Sequence, residues 1–214
     1  MKKYLIIALI ILSLIISYLI IKINTNNNKY NINHNCNNIT INYPSTNYYK
    51  VNNKIKEYID TSINNFKSIT LNKTKTTYYL IITYKEYHYH NLISYIFFYE
   101  SYTGGAHPIH LINSFIYNIN TNSFVTINSL IENNPNILNE LSNYTYKTLS
   151  NKEIFQNETI KNMLKEGTQP LTNNYKNILF TNEGLIIYFE RYQIAPYYYG
   201  DYKITIPYKY LNLN

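Results

Sequence analysis

The sequence predicts an α+β fold: antiparallel sheets with packed helices in two lobes, preceded by one N-terminal transmembrane helix. Three patterns predict it. Tyr4 to Ile21 is an almost unbroken apolar run. Further on, runs of alternating Tyr, Ile and Thr come in groups, which marks strands. Helical periodicity comes in blocks between those groups, not strand by strand, so antiparallel sheets are expected over a doubly wound parallel one. No repeat of 20 to 50 residues is visible, which excludes a solenoid or propeller.

Residues 1–3 read as a cytoplasmic stub and 4–23 as a transmembrane signal-anchor. The apolar run would reach roughly 27 Å as a helix, about the thickness of a bilayer core. Lys2 and Lys3 precede it, which keeps the N-terminus inside and the rest of the chain outside. The run ends in Ile-Lys-Ile-Asn-Thr, without the small-x-small site of a cleaved signal peptide. The expected location is therefore the cell membrane, single-pass, with an extracytoplasmic domain. Residues 24–38 are Asn-rich and almost without apolar side chains, and read as a disordered spacer. Cys36 lies there, and as the single cysteine it has no partner for an internal disulfide.

The N-terminal lobe is expected over 39–100. Ile39 to Tyr43 alternates and stops at Pro44, as a strand does. Val51, Ile55, Ile59, Ile63 and Phe66 recur every three or four residues, which predicts an amphipathic helix from about Asn47 to Lys67. Thr76 to Tyr87 and His90 to Tyr102 predict a hairpin. The C-terminal lobe is expected over 101–214. Leu111 to Asn118 and Phe124 to Ile127 predict a second hairpin turning at Asn120-Thr121-Asn122. Helical spacing begins at Ser129, is interrupted at Pro135, and resumes from Ile154 to Leu164, with Gly167 and Pro170 as stops. Strands follow at 177–181, 184–192 and 202–206, the first two joined by the turn residues Asn182-Glu183-Gly184.

Composition says little about function. Asn, Ile, Lys and Tyr are over-used, all residues with AT-rich codons, and Arg191 is the only arginine. The 27 tyrosines are therefore expected to fill core positions as well as surface ones. The net charge of +7 includes Lys2 and Lys3, and the remainder is spread without a basic cluster. No nucleic-acid partner is expected.

No catalytic, metal or cofactor set stands out. His88 and His90 are two apart and His107 and His110 three apart, but no HExxH and no carboxylate at ligand spacing accompanies them. Gly104-Gly105 lacks the Lys-Ser/Thr of a phosphate loop and reads as a sharp turn. Glu100 and Glu190 lie in strand-like segments, and a close carboxylate pair would suit glycan hydrolysis. The plainer reading of Glu86, Glu100 and Glu190 is partly buried salt bridges, for instance with Arg191. The segment Pro196-Tyr197-Tyr198-Tyr199-Gly200 is a Pro- and Gly-bounded loop of tyrosines, a residue type that supplies large contact area at low entropic cost.

Three segments together resemble a known family. They are Tyr102-Thr103-Gly104-Gly105-Ala106-His107-Pro108; Asn120 to Leu130; and Phe180 to Tyr197, followed by Gly200 and Ile204-Thr205-Ile206-Pro207. The chain from about 39 to 210 is similar to the extracytoplasmic domain of RsiV-type anti-sigma factors, a domain also found beside peptidoglycan deacetylase domains of the PdaC type. The resemblance implies a two-part α+β domain outside the membrane and, as in RsiV, a receptor for lysozyme. With three residues ahead of the anchor, no sigma factor is expected as a partner. The expected function is an anchored, non-enzymatic binding module for a wall-associated ligand, lysozyme-like protein or peptidoglycan. Its expected contacts are Pro196, Tyr197, Tyr198, Tyr199, Gly104, Gly105, His107 and Pro108. The alternatives are a wall glycan hydrolase using Glu100 and Glu190, and a structural partner in an envelope complex.

Overall fold

The computed structural model describes residues 26–34, 37–70 and 77–213, with the backbone alone for 26–34 and 37. The anchor at 4–23 lies outside the described residues. Among the described residues no helix is long and apolar enough to cross a membrane. The fold is α+β, and every strand pairing whose register is described is antiparallel. The chain divides into two compact units between Leu80 and Ile81, earlier than the boundary expected at 100. The reason is β4 (Leu92–Tyr102), which pairs along nearly its whole length with β5 (Ile109–Asn118) and so belongs with the later chain.

In the first unit β1 (Asn26–His34) runs antiparallel to β2 (Asn37–Ser45), with His34 opposite Asn37 and Asn26 opposite Ser45. The spacer expected at 24–38 is thus largely strand. Its composition shows a shortage of apolar side chains, but a ladder needs only backbone donors and acceptors beside a strand that is itself anchored. β2 is such a strand, with Ile39 and Ile41 buried. Helix α1 (Tyr49–Thr70) follows the predicted stripe: Val51, Ile55, Ile59, Ile63 and Phe66 are all buried. Thr46 and Asn52 brace its entry, Thr46 N–H donating to Asn52 Oδ1 at 2.9 Å and Asn52 Nδ2 returning to Thr46 O at 2.7 Å. Strand β3 (Tyr78–Tyr89) starts here and continues into the second unit.

The second unit is layered. Strands β3, β4, β5 and β6 (Ser123–Val125) lie side by side in that order. His90 takes a positive φ of 49° in the β3–β4 turn, and Asn122 one of 52° in the β5–β6 turn, a conformation that Asn and His adopt more readily than most residues. Helices α2 (Ile127–Asn133), α3 (Ile137–Ser150) and α4 (Glu158–Gly167) come next. Thr126 and Ser129 form a reciprocal capping box at the start of α2, and Asn157 caps α4.

The second sheet has the order β7 (Ile178–Thr181), β8 (Gly184–Phe189), β9 (Tyr202–Ile206). One face meets β4 and β5 through Ile96, Ile112, Leu179, Ile186 and Tyr188. The other meets the helices through Leu141, Leu149, Phe155, Ile160 and Leu164. Covered on both faces, β8 is buried at all six positions, which is why Leu185 to Phe189 reads as a continuous apolar run. Ser94 ties the sheets, accepting from Phe180 N–H at 3.0 Å.

Tyr175 is fully buried under α3 and α4. Its hydroxyl donates to Thr168 O at 2.7 Å and lies 3.0 Å from Thr145 Oγ1. Burial pushes its pKa up to about 12, so it remains a neutral donor. Tyr175→Phe is expected to cost about 1–2 kcal/mol, because a buried carbonyl loses its donor. Urea denaturation checks this as a lower midpoint with an unchanged slope.

Candidate functional site: a tyrosine face on two loops

Two loops meet at one end of the second unit. The first, Thr103 to Pro108, joins β4 to β5, and Gly104 turns it with a φ of 93°. The second, Glu190 to Gly200, joins β8 to β9 and contains the short 3-10 turn Tyr197–Tyr199. Pro196 precedes that turn and Gly200, at φ 76°, ends it.

Tyr197 holds the loops together. Its hydroxyl donates to Pro108 O at 2.8 Å. The same carbonyl lies 3.0 Å from His107 Nδ1. The His107 ring stacks on Tyr197 at 4.0 Å between centroids. The Arg191 guanidinium lies 4.5 Å from the Tyr197 ring centre, a cation–π contact. Tyr192 adds a tilted ring at 5.5 Å. Tyr192 is 57% exposed, and Tyr198, next in the chain after Tyr197 and with its ring against Tyr199, is 74% exposed, so both rings offer contact area to solvent.

Behind the rings is a charged layer. Arg191 N–H donates to Asp201 Oδ1 at 3.1 Å, and Arg191 Nε lies 4.0 Å from the same oxygen. That Nε is buried with no hydrogen-bond partner. Burial raises the Asp201 carboxyl above its ordinary value, with Arg191 pulling the other way. Arg191 therefore meets Asp201, an acid the sequence reading did not name as its partner. Glu190 Oε2 takes Lys176 at 2.7 Å, and its Oε1 accepts from Ile112 N–H at 2.9 Å. Both oxygens of Glu190 thus tie the β8 end to β5 and to the segment before β7. Glu100 sits opposite His110 across the β4–β5 ladder, 3.6 Å from its Nδ1.

The second loop is held from below by Gln193. Its Nε2 donates to Gly167 O at 3.2 Å and Asn174 O at 3.0 Å, and its Oε1 accepts from Glu190 N–H at 3.2 Å. Tyr192 bridges the turn with a φ of 66°, an unusual conformation for an aromatic residue.

Of the residues expected at the site, Tyr197, His107 and Pro108 meet directly, and Gly104 shapes the first loop. Gly105 is exposed, and a Cβ there would meet His107 O at 3.7 Å, an ordinary contact. Tyr199 instead packs on the core, its ring 4.2 Å from Tyr198. Sequence reasoning missed Arg191, Tyr192 and His110 as neighbours of Tyr197. Arg191 carried one signal, as the only arginine in a lysine-rich chain. His88 and His90 play no part in this face: His88 pairs with Glu86 at 2.6 Å and His90 sits in a turn. Among the described residues no group of three His, Cys, Asp or Glu could hold a metal ion.

Residues 128–209 match the family described as "Protein of unknown function (DUF3298)". The chain is also 29% identical, over 175 residues, to the peptidoglycan-N-acetylmuramic acid deacetylase PdaC of Bacillus subtilis. That alignment takes in 79% of this chain but spans only 37% of the relative's length. Two solved structures share the fold. A DUF3298 family protein from Pseudomonas aeruginosa matches with a TM-score of 0.65 at 13% identity, covering 88% of this chain and 91% of that one. A DUF3298 family member from Bacteroides fragilis matches with a TM-score of 0.59 at 19% identity, covering 87% and 92%. The family-matched segment includes the loop that carries Tyr192, Tyr197 and Tyr198, while the Gly104 to Pro108 loop lies before it.

His110 gives this face a pH signature. Burial, reinforced by Arg191, holds its imidazole below the ordinary 6.5, while Glu100 opposes the shift. Below 6.5 the unfolded chain takes the proton more readily than the fold, so this contribution to stability falls as pH drops from 6.5 towards the lower folded value. The Glu86 hydrogen bond raises His88 instead, so its contribution is present at low pH and lost as pH rises through its folded value. His110→Gln is expected to flatten the acid-side slope of Tm against pH relative to wild type. A parallel pair of curves would show that His110 does not titrate with folding.

Proposed function

We propose that this chain is a binding module for a cell-wall-associated ligand, a lysozyme-like protein or peptidoglycan, held at the membrane by residues 4–23. The observation that carries the reading is the braced tyrosine face. Exposed Tyr192 leans on a ring fixed to two loops by one hydrogen bond, one stack and one cation–π contact, and exposed Tyr198 follows that ring in the same short turn. Rigid aromatic anchors of this kind bind with little further ordering cost. The wall is favoured as the setting because the relative PdaC is named for its action on peptidoglycan. A role without catalysis is supported by Glu190, whose two oxygens are engaged within the fold.

The test is sedimentation of the full chain, in detergent, with purified peptidoglycan, and titration with lysozyme. Saturable binding of either supports the reading. Tyr198→Ala is expected to weaken it about tenfold with no change in Tm, since the ring is mostly exposed and supports little of the fold.

A further inference from the structure

A second feature of the same unit lies apart from the tyrosine face. A cleft of about 400 Å³ opens where the β3–β4 turn, the end of α2 and the C-terminal segment come together. Its wall is aromatic on one side: Tyr89 and Tyr208 stack at 4.5 Å between centroids, and Phe180 lies behind at 6.2 Å from each. The other side carries five asparagines, at 91, 118, 133, 134 and 212. No Asp, Glu, Lys or Arg lines the cleft, and His90 is the one imidazole on its lining.

Two of these amides are fixed from behind. Glu140, which does not line the cleft, accepts from Asn212 Nδ2 at 2.6 Å and N–H at 3.0 Å through its two oxygens, and from Asn134 Nδ2 at 3.1 Å. With its Nδ2 so used, Asn212 keeps its Oδ1 as an acceptor. Asn118 Oδ1 accepts from Asn120 and Thr121 N–H, which leaves its Nδ2 as a donor. The cleft therefore presents oriented neutral donors and acceptors beside ring carbons. A charged ligand finds no carboxylate, ammonium or guanidinium on the lining, and a purely apolar one would leave the amides unpaired.

We propose that this cleft binds a neutral, amide-bearing sugar: an N-acetylhexosamine unit of a glycan. Its C–H faces meet the aromatic wall, and its hydroxyl and acetamido groups pair with the asparagine amides. The cleft shares no residue with the Tyr197 face, so the two readings fail separately.

The experiment titrates the full chain in detergent with a trimer of N-acetylglucosamine by calorimetry, with maltotriose and the deacetylated trimer as controls. The acetylated trimer is expected to bind, and each control to bind at least about tenfold more weakly. The double variant Asn133→Ala, Asn212→Ala is expected to lose about tenfold in affinity. Its Tm should fall by no more than that of Asn133→Ala with Glu140→Gln, which loosens both Asn212 and Asn134. Absence of heat with the acetylated trimer up to about 10 mM, equal binding of either control, or unchanged affinity in the double variant overturns the proposal.

Discussion

Replacing Gly167 by alanine is expected to lower the free energy of unfolding by about 3 kcal/mol, at the upper end of the usual cost of overpacking. Gly167 is the last residue of α4, and the turn that carries the tyrosine face lies directly against it. A methyl group there would sit 2.0 Å from the backbone oxygen of Gln193 and 2.7 Å from Ile194 Cγ2. The first obstacle is backbone, so no side-chain rotation relieves it. Ile194 and Ala195 are buried, which leaves the turn little room to back away. Thermal denaturation is expected to show a fall in Tm of roughly 10 °C. Gln193→Ala supplies the comparison, since it removes the hydrogen bonds to Gly167 and Asn174 without adding volume. A Gly167→Ala protein with the Tm of wild type would mean that the turn does not rest on α4.

Tyr197→Ala carries the second large effect, on binding. The substitution deletes the donor to Pro108 O, the stack on His107 and the ring beneath Arg191 at once. The two loops lose their main tie, and Tyr192 loses the ring it leans on. Affinity for the wall-associated ligand is expected to fall by about 30- to 100-fold, the scale of a hot-spot residue. Tyr197→Phe separates the ring from the hydroxyl. It keeps the aromatic contacts, loses one hydrogen bond worth about 1 kcal/mol of stability, and is expected to bind nearly as wild type does. Calorimetric titration and a melting curve for each variant decide between ring and hydroxyl. Equal affinities for wild type and Tyr197→Ala would place the contact face elsewhere.

Local structure was legible where one periodicity dominated a segment. The stripe from Val51 to Phe66 marked α1 because helix burial repeats every three to four residues. The dense run from Leu185 to Phe189 marked a strand because β8 is covered on both faces. Gly104 and Gly200 were legible as turns, and both take a positive φ. Partners distant in sequence were not legible. Tyr197 reaches Pro108 across 89 residues, and nothing local to either residue specifies the other. The choice of Lys176 over Arg191 as the partner of Glu190 follows from which strand ends the fold brings together, not from adjacency in the chain. The pairing of β1 was hidden for a related reason, since backbone hydrogen bonds leave no mark on composition.

The central claim is that the exposed rings of Tyr192 and Tyr198, in the loop that carries Tyr197, are the contact surface for a wall-associated ligand. Its most direct test is the affinity of the full chain for purified peptidoglycan and for lysozyme, measured for wild type and for the double variant Tyr192→Ala, Tyr198→Ala. The expected result is that wild type binds one of the two, and that the double variant binds it at least about tenfold more weakly at an unchanged Tm. Binding of neither ligand by wild type, or equal binding by the double variant, would contradict the account.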